Sequence, residues 1–175
     1  MFLGFVAGLV FSGATGALAR AEKTNAQNTA YNLKTSISAY YTEYRKYPVG
    51  QDRKEGEELR SNHEIMDVLL GSDTAAKEGG LNTRKIVFFT GRAARPMENG
   101  EYRKGVKLDS KGGGGELWDP WGNHYFIRLD LDYNDKIDKP KWDKEIDAED
   151  LPKSILIWSA GKDGIPGTKD DIKTR

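Results

Sequence analysis

No proline occurs before Pro48, and no glycine occurs between Gly16 and Gly50. A run that long without a helix breaker constrains the chain to one extended helix. Its apolar positions have helical spacing: Ala26, Ala30, Leu33, Ile37, Tyr40/Tyr41, Tyr44 and Tyr47 recur in steps of three and four. Pro48 is the natural stop, because it lacks an N–H and disfavours helix in the residue before it. The pattern predicts a helix over residues 1–47, apolar over 1–19 and amphipathic over 20–47. At ~1.5 Å per residue it spans roughly 70 Å, longer than a small domain needs. Residues 48–175 then form a globular domain carried on that helix.

Charge and composition narrow the function classes. The 27 basic and 27 acidic residues cancel, which argues against a nucleic-acid partner. Cysteine is absent, so neither disulfides nor thiolate–metal sites hold the fold. The two histidines, His63 and His124, lie far apart; a His-based metal or triad site would need both to converge with acidic partners, and nothing local suggests that.

The first charge is Arg20, and the uncharged run before it contains Ser12, Thr15 and four glycines. Three readings fit this segment. It is a membrane anchor continuous with the fold, since a span needs ~20 apolar residues. It is a cleaved secretory signal, with Ala17-Leu18-Ala19 as the cleavage site but no basic residue ahead of it. Or it is a buried core helix. The unbroken helical pattern across Arg20 favours the anchor.

Residues 48–60 are polar and read as a surface connection. Ser61 with Glu64 forms a capping box for a short helix whose buried face is Ile65, Met66, Val68, Leu69 and Leu70, closed by Gly71. Residues 84–90, RKIVFFT, read as a strand or an extended buried segment. The glycines at 112–115 read as a flexible linker or exposed loop. Trp118-Asp119-Pro120-Trp121-Gly122-Asn123 is turn chemistry flanked by aromatics. Residues 124–131 then alternate as a strand, with Tyr125, Ile127, Leu129 and Leu131 on one face. Residues 142–150 are charged and ambiguous, and residues 154–159, SILIWS, make the clearest strand. Helices first and strands afterwards, without crossover helices, predict an α+β fold with an antiparallel sheet against the amphipathic half of the long helix.

The best candidate for chemistry is the C-terminal loop. Asp163 follows a strand, and Asp170 and Asp171 come seven residues later, beyond Gly164, Pro166 and Gly167. Carboxylates gathered in a tight loop are the hard oxygen ligands that calcium takes. A solvated acidic turn explains the same residues. The spacing is not an EF-hand. Asp130, Asp132 and Asn134 resemble the start of one, but Asp135 stands where the glycine belongs and no closing Glu follows, and a hairpin turn accounts for them equally. Asp119 near His124 can be drawn as an acid–base pair. No nucleophile elbow, phosphate-binding glycine loop or HExxH is present, so no catalytic residue and no enzymatic activity are expected.

Three stretches together resemble a known family. The helix end Ala39-Tyr40-Tyr41-Thr42-Glu43-Tyr44-Arg45-Lys46-Tyr47-Pro48 resembles that of type IV pilin-like proteins. Asp119-Pro120-Trp121-Gly122-Asn123, with Tyr125 after it, resembles the DPWGxxY stretch of the G-type major pseudopilin of type II secretion. Ser159-Ala160-Gly161-Lys162-Asp163-Gly164, followed by Gly167 and Asp170-Asp171-Ile172, resembles that family's calcium loop.

The resemblance implies a pilin-like α+β fold without enzymatic activity. It implies a subunit held in the bacterial inner membrane by its N-terminal helix, its globular domain in the periplasm. Such subunits assemble with copies of themselves, other pseudopilins and inner-membrane secretion components into a filament that supports protein export. Asp163, Asp170 and Asp171 are then the side-chain calcium ligands and Ala160 supplies a carbonyl. The family's cleavage glycine is followed by a phenylalanine and a glutamate-bearing run, whereas Val6, Ala7, Gly8 and Leu9 follow Gly4-Phe5 here. Aligned on Tyr47-Pro48, the chain is expected to start about a dozen residues inside the mature helix. The competing expectations are a type IV pilus subunit for adhesion or motility, and a secreted monomeric calcium-binding module.

Overall fold

The computed structural model describes residues 6–142, 150–151 and 153–174, with side chains from residue 16 onward except at 150. Helix α1 (Val6–Tyr44) is 39 residues long, about 58 Å at 1.5 Å per residue. It is followed by β1 (Leu59–Arg60), α2 (His63–Leu70), α3 (Asp73–Ala76), β2 (Arg95–Pro96) and β3 (Tyr102–Arg103). Then come β4 (Gly105–Leu108), β5 (Gly115–Trp118), β6 (Phe126–Leu129) and β7 (Ile137–Asp138). The chain closes with β8 (Asp150–Leu151), β9 (Ile155–Ser159) and β10 (Ile172–Lys173). The fold is α+β, with a long N-terminal helix against a small antiparallel sheet, as the element order implied.

The main sheet runs β1-β6-β9-β10 and every pairing is antiparallel. Leu59 stands opposite Ile127, Ile127 opposite Ile157, and Ile172 opposite Ser159. Helix α1 lies across β9 and β10. The helical face read from the sequence is the buried one: Ala26, Ala30, Leu33, Ile37 and Tyr40 are at most 1% exposed. Each large apolar side chain buried there contributes about 1.5–3 kcal/mol. Tyr125, on β6's flank, ties sheet to helix through its hydroxyl, which donates to the Ala26 carbonyl at 3.3 Å.

The helix stops three residues before the expected Tyr47. Arg45 takes a left-handed conformation (φ 55°) and its N–H still bonds the Tyr41 carbonyl, which closes the last turn. Tyr47 is nevertheless buried, its ring 5.0 Å from that of Tyr41 and 5.7 Å from that of Tyr133. Helical spacing thus identified a core residue that belongs to the turn after the helix.

The polar connection ends in an unexpected strand, β1, because Leu59 is buried and extends the sheet edge. The capping residue of α2 is Asn62, whose side chain accepts from the Glu64 N–H. Ser61 is instead fully buried: its hydroxyl donates to the Leu117 carbonyl at 2.7 Å and accepts from the Tyr125 N–H at 2.8 Å. It therefore stitches α2's approach to β5 and β6. The buried face of α2 is as read, except that Leu70 is half-buried, and Gly71 closes the helix in a left-handed conformation.

Residues 84–90 join no sheet: Arg84 is still in a turn and Lys85 takes a left-handed conformation (φ 53°). Buried Asn82 substitutes for a strand partner. Its amide donates to the carbonyls of Val68 (2.8 Å) and Ile86 (2.7 Å), and its Oδ1 accepts from the Ile86 N–H and the Tyr44 hydroxyl. Of the two readings for the glycines at 112–115, the loop is the one found: 112–114 lie in the connection from β4 to β5, exposed at Gly112 and Gly113, while Gly115 opens β5 and its N–H donates to Asp67 Oδ1 at 3.0 Å.

Strand β6 has the expected phase but is covered on both sides. Tyr125, Ile127 and Leu129 face the helix side of the core. Phe126 joins Trp158, Leu156, Ile137, Leu151 and Ala160 in a second cluster on the opposite face. The cover there is the ladder of β7 and β8, with Ile137 opposite Leu151. Most of the ambiguous stretch at 142–150 lies outside the described residues, but its last residue, Asp150, begins β8.

Among the described residues, no helix is long and apolar enough to cross a membrane. Residues 1–5 of the expected apolar segment lie outside the described residues.

Candidate functional site

Asp119 sits at the start of the aromatic turn with no exposure at all. Its Oδ1 accepts from the N–H groups of Trp121, Gly122 and Asn123, each at 2.9 Å. Its Oδ2 accepts from the Ser159 hydroxyl at 2.6 Å. Burial pushes the carboxyl up, against the pull of its four donors in the other direction. The Ser159 Oγ in turn accepts from the Gly161 N–H at 3.2 Å. The aromatic turn and the C-terminal loop, 40 residues apart in sequence, are thus one hydrogen-bonded unit. The acid–base pairing of Asp119 with His124 does not form. The His124 ring lies 4.0 Å from that of Trp118, and its Nδ1 is 3.1 Å from the Leu117 carbonyl oxygen.

The C-terminal loop starts at Ala160, which is fully buried. Gly161 follows with φ 68°, and a Cβ there would stand 2.5 Å from Asp170 Oδ2 and 2.6 Å from the Asp170 carbonyl oxygen. Only glycine lets the chain pass this carboxylate. Asp170 Oδ2 accepts from the N–H groups of Lys162 (2.6 Å) and Asp163 (3.2 Å), and its Oδ1 accepts from the Thr168 hydroxyl. The Thr168 bond, with those amides, holds the carboxyl below the usual carboxylate range against partial desolvation. Asp163 Oδ1 accepts from the Ile165 N–H, and Asp171 Oδ2 from the Gly167 N–H, each at 2.8 Å. Burial pushes the Asp171 carboxyl up, and its Oδ1 is buried without a hydrogen-bond partner.

The three loop carboxylates therefore organise backbone amides, and they do not converge on one point. Among the described residues, clusters of three ligand-type side chains occur elsewhere: His63 with Asp67 and Asp109, and Glu55 with Asp130 and Asp132. The oxygen-only donor set suits calcium. The orphaned Asp171 oxygen fits a cation too, because a buried acceptor without a donor is costly.

The second acidic run is a tight loop of the kind a turn reading implied. Asp130 accepts from the N–H groups of Asn134 (3.0 Å) and Asp135 (2.8 Å), and Asp132 Oδ2 accepts from the Asn134 amide at 2.9 Å. Burial raises the Asp130 carboxyl, and neighbouring Asp132 adds to it. Glu55 joins them by accepting from the Leu131 N–H at 2.6 Å. Sequence reasoning missed Glu55, since it lies in a charged run with no signal apart from its neighbours.

The remaining surface of interest is α1 itself. From residue 16 to residue 24 the helix runs clear of the core, and Leu18 is 58% exposed. Leu18, Ala19 and Glu22 border a groove of about 480 Å³ whose other wall is Trp121, Lys162 and Asp170. The outer half of the helix thus passes directly beside the joined turn and loop.

No family model matches the chain, and no curated protein matches it either. A solved structure, the major pseudopilin from the type 2 secretion system of enterohaemorrhagic Escherichia coli, is similar over 91% of this chain and 91% of that chain, at 15% identity and a TM-score of 0.40.

Proposed function

We propose that the chain is a structural subunit of a pseudopilus-type filament, polymerising through the outer half of α1 to support protein export. One observation carries this reading. Among the described side chains, the 39-residue helix α1 buries its face only from Ala26 onward, while those at 16–24 are exposed apart from half-buried Glu22, which with Leu18 borders an open groove. The sequence ahead of Arg20 is uncharged, and apolar surface of that kind is driven to a partner. Packing against the same segment of neighbouring subunits meets that need, and so does a membrane before assembly. The motif order of the sequence supports the inner-membrane and periplasmic setting of this family, and no catalytic role is assigned.

Calcium is the proposed ion of the C-terminal loop. Asp163, Asp170 and Asp171 would hold it with the Ala160 carbonyl, and its charge would draw together carboxylates that now bond separate backbone amides. Because Lys162 and Asp170 wall the groove beside Leu18, ordering this loop fixes the surface a neighbour meets.

The chain has no cysteine, so a single Leu18→Cys reports association directly. Intermolecular disulfide dimers of the Leu18→Cys chain, absent from a Tyr133→Cys control on the exposed loop, are the expected result. Equal cross-linking at both positions would contradict packing through α1.

A further inference from the structure

We propose that His63, Asp67 and Asp109 form a second metal site that takes a zinc-type divalent ion and clamps α2 to the β4–β5 hairpin. His63 and Asp67 are one helical turn apart on α2, and Asp109 follows β4. His63 Nδ1 lies 3.0 Å from Asp67 Oδ1 and 3.6 Å from Asp109 Oδ2. One donor atom from each of the three lies within 4.8 Å of the others. Tetrahedral coordination at zinc's bond lengths sets neighbouring donors roughly 3.3–3.6 Å apart. The two separations from His63 therefore lie close to those of such a sphere.

The backbone makes room for this convergence. A Cβ at Gly114 would stand 2.5 Å from Asp67 Oδ1 and 3.0 Å from Asp109 Oδ2. A side chain there would displace both carboxylates. Asp67 Oδ1 is also aimed by the Gly115 N–H at 3.0 Å, the outer-shell support that orients metal ligands. The Asp109 N–H bonds the Gly114 carbonyl at 2.9 Å, which fixes the other arm. On the open side His63, Glu64 and Asp67 border a cleft of about 690 Å³, which leaves a fourth position for water. One nitrogen and two carboxylate oxygens select a borderline ion over calcium, which prefers oxygen alone. Zinc binds the neutral imidazole, so metal binding and protonation of His63 exclude one another.

The site is separate from the C-terminal loop and does not rest on the filament reading. The test is calorimetric titration of zinc into the full chain, stripped with chelator, at pH 7.5 in two buffers of different ionisation heat. Saturable 1:1 binding with proton release is expected. Binding should weaken tenfold or more in both His63→Ala and Asp109→Asn, and stay unchanged in the Asp163→Ala, Asp170→Ala double variant. Cobalt should give the visible absorption of a tetrahedral site in the native chain and lose it in His63→Ala, whose circular dichroism reports that it remains folded. Absence of zinc binding overturns the proposal. So does binding that survives both His63→Ala and Asp109→Asn, or binding lost with the C-terminal carboxylates.

Discussion

Asp119 Oδ2 accepts a hydrogen bond from the Ser159 hydroxyl at 2.6 Å, with neither residue exposed. This contact joins the turn that follows β5 to the end of β9, and Ser159 passes it on to the Gly161 N–H. The C-terminal loop is therefore positioned from inside the domain before any ion reaches it.

Removing this contact leaves a buried acceptor without its donor. Ser159→Ala should destabilise the domain by about 1–3 kcal/mol. Asp119→Ala, which orphans three amides and the Ser159 hydroxyl, should cost more. Urea unfolding of both single variants and the double measures it. The double variant should be less destabilised than the two singles summed.

Gly161→Ala tests the close passage beside Asp170. It combines a left-handed backbone with contact on a carboxylate and a backbone oxygen, so a loss of about 1–3 kcal/mol is expected. Gly79→Ala shares the positive φ but meets nothing within 4 Å. It should cost only about 1 kcal/mol. Thermal unfolding of the two variants should separate them.

Much of this was legible in the sequence because it was local. The buried stripe from Ala26 to Tyr40 follows from helical spacing alone. The phase of β6 follows from strand alternation, which places Tyr125, Ile127 and Leu129 together. What escaped was decided by contacts between distant residues. Ser61 looks like a helix cap by type and position, but Leu117 and Tyr125 claim its hydroxyl, and Asn62 caps instead. The 84–90 stretch has strand composition, yet Asn82 takes up the backbone of Ile86 and the Leu69 carbonyl accepts from Phe88 and Phe89, so no strand forms. The glycines at 112–115 read as flexible until Asp67 is seen to bond the Gly115 N–H. In the candidate site, the loop's acidic residues were visible in the sequence. Their use of carboxylates to hold backbone amides depends on a fold that spacing does not encode.

The proposed calcium site makes a direct expectation. Calcium added after chelation should raise Tm, and the Asp163→Ala, Asp170→Ala double variant should abolish the rise. An unchanged Tm in the native chain would count against calcium at this loop.

Acid should loosen the loop through Asp170. Its folded-state carboxyl is held low, so its contribution is present above the ordinary carboxylate value and lost as pH falls through the lowered one. Protection of the Lys162 and Asp163 amides, whose N–H groups it accepts, measured relative to intrinsic exchange, should fall below roughly pH 4. Asp119 has the opposite sign. Its raised carboxyl stabilises most fully below its ordinary value, and that contribution is lost as pH rises through the raised one. Protection of the Trp121, Gly122 and Asn123 amides should therefore outlast that of the loop on acidification.

The central claim is that the outer half of α1 packs against other copies of this chain. Electron microscopy of assembled full-length material, compared with Leu18→Arg, tests it most directly. The native chain should form helical filaments with α1 at their core, and the Leu18→Arg chain should stay dispersed while its domain unfolds at the native temperature. A native chain that remains monomeric after removal of detergent, or filaments in which α1 lies on the outer surface, would contradict the account.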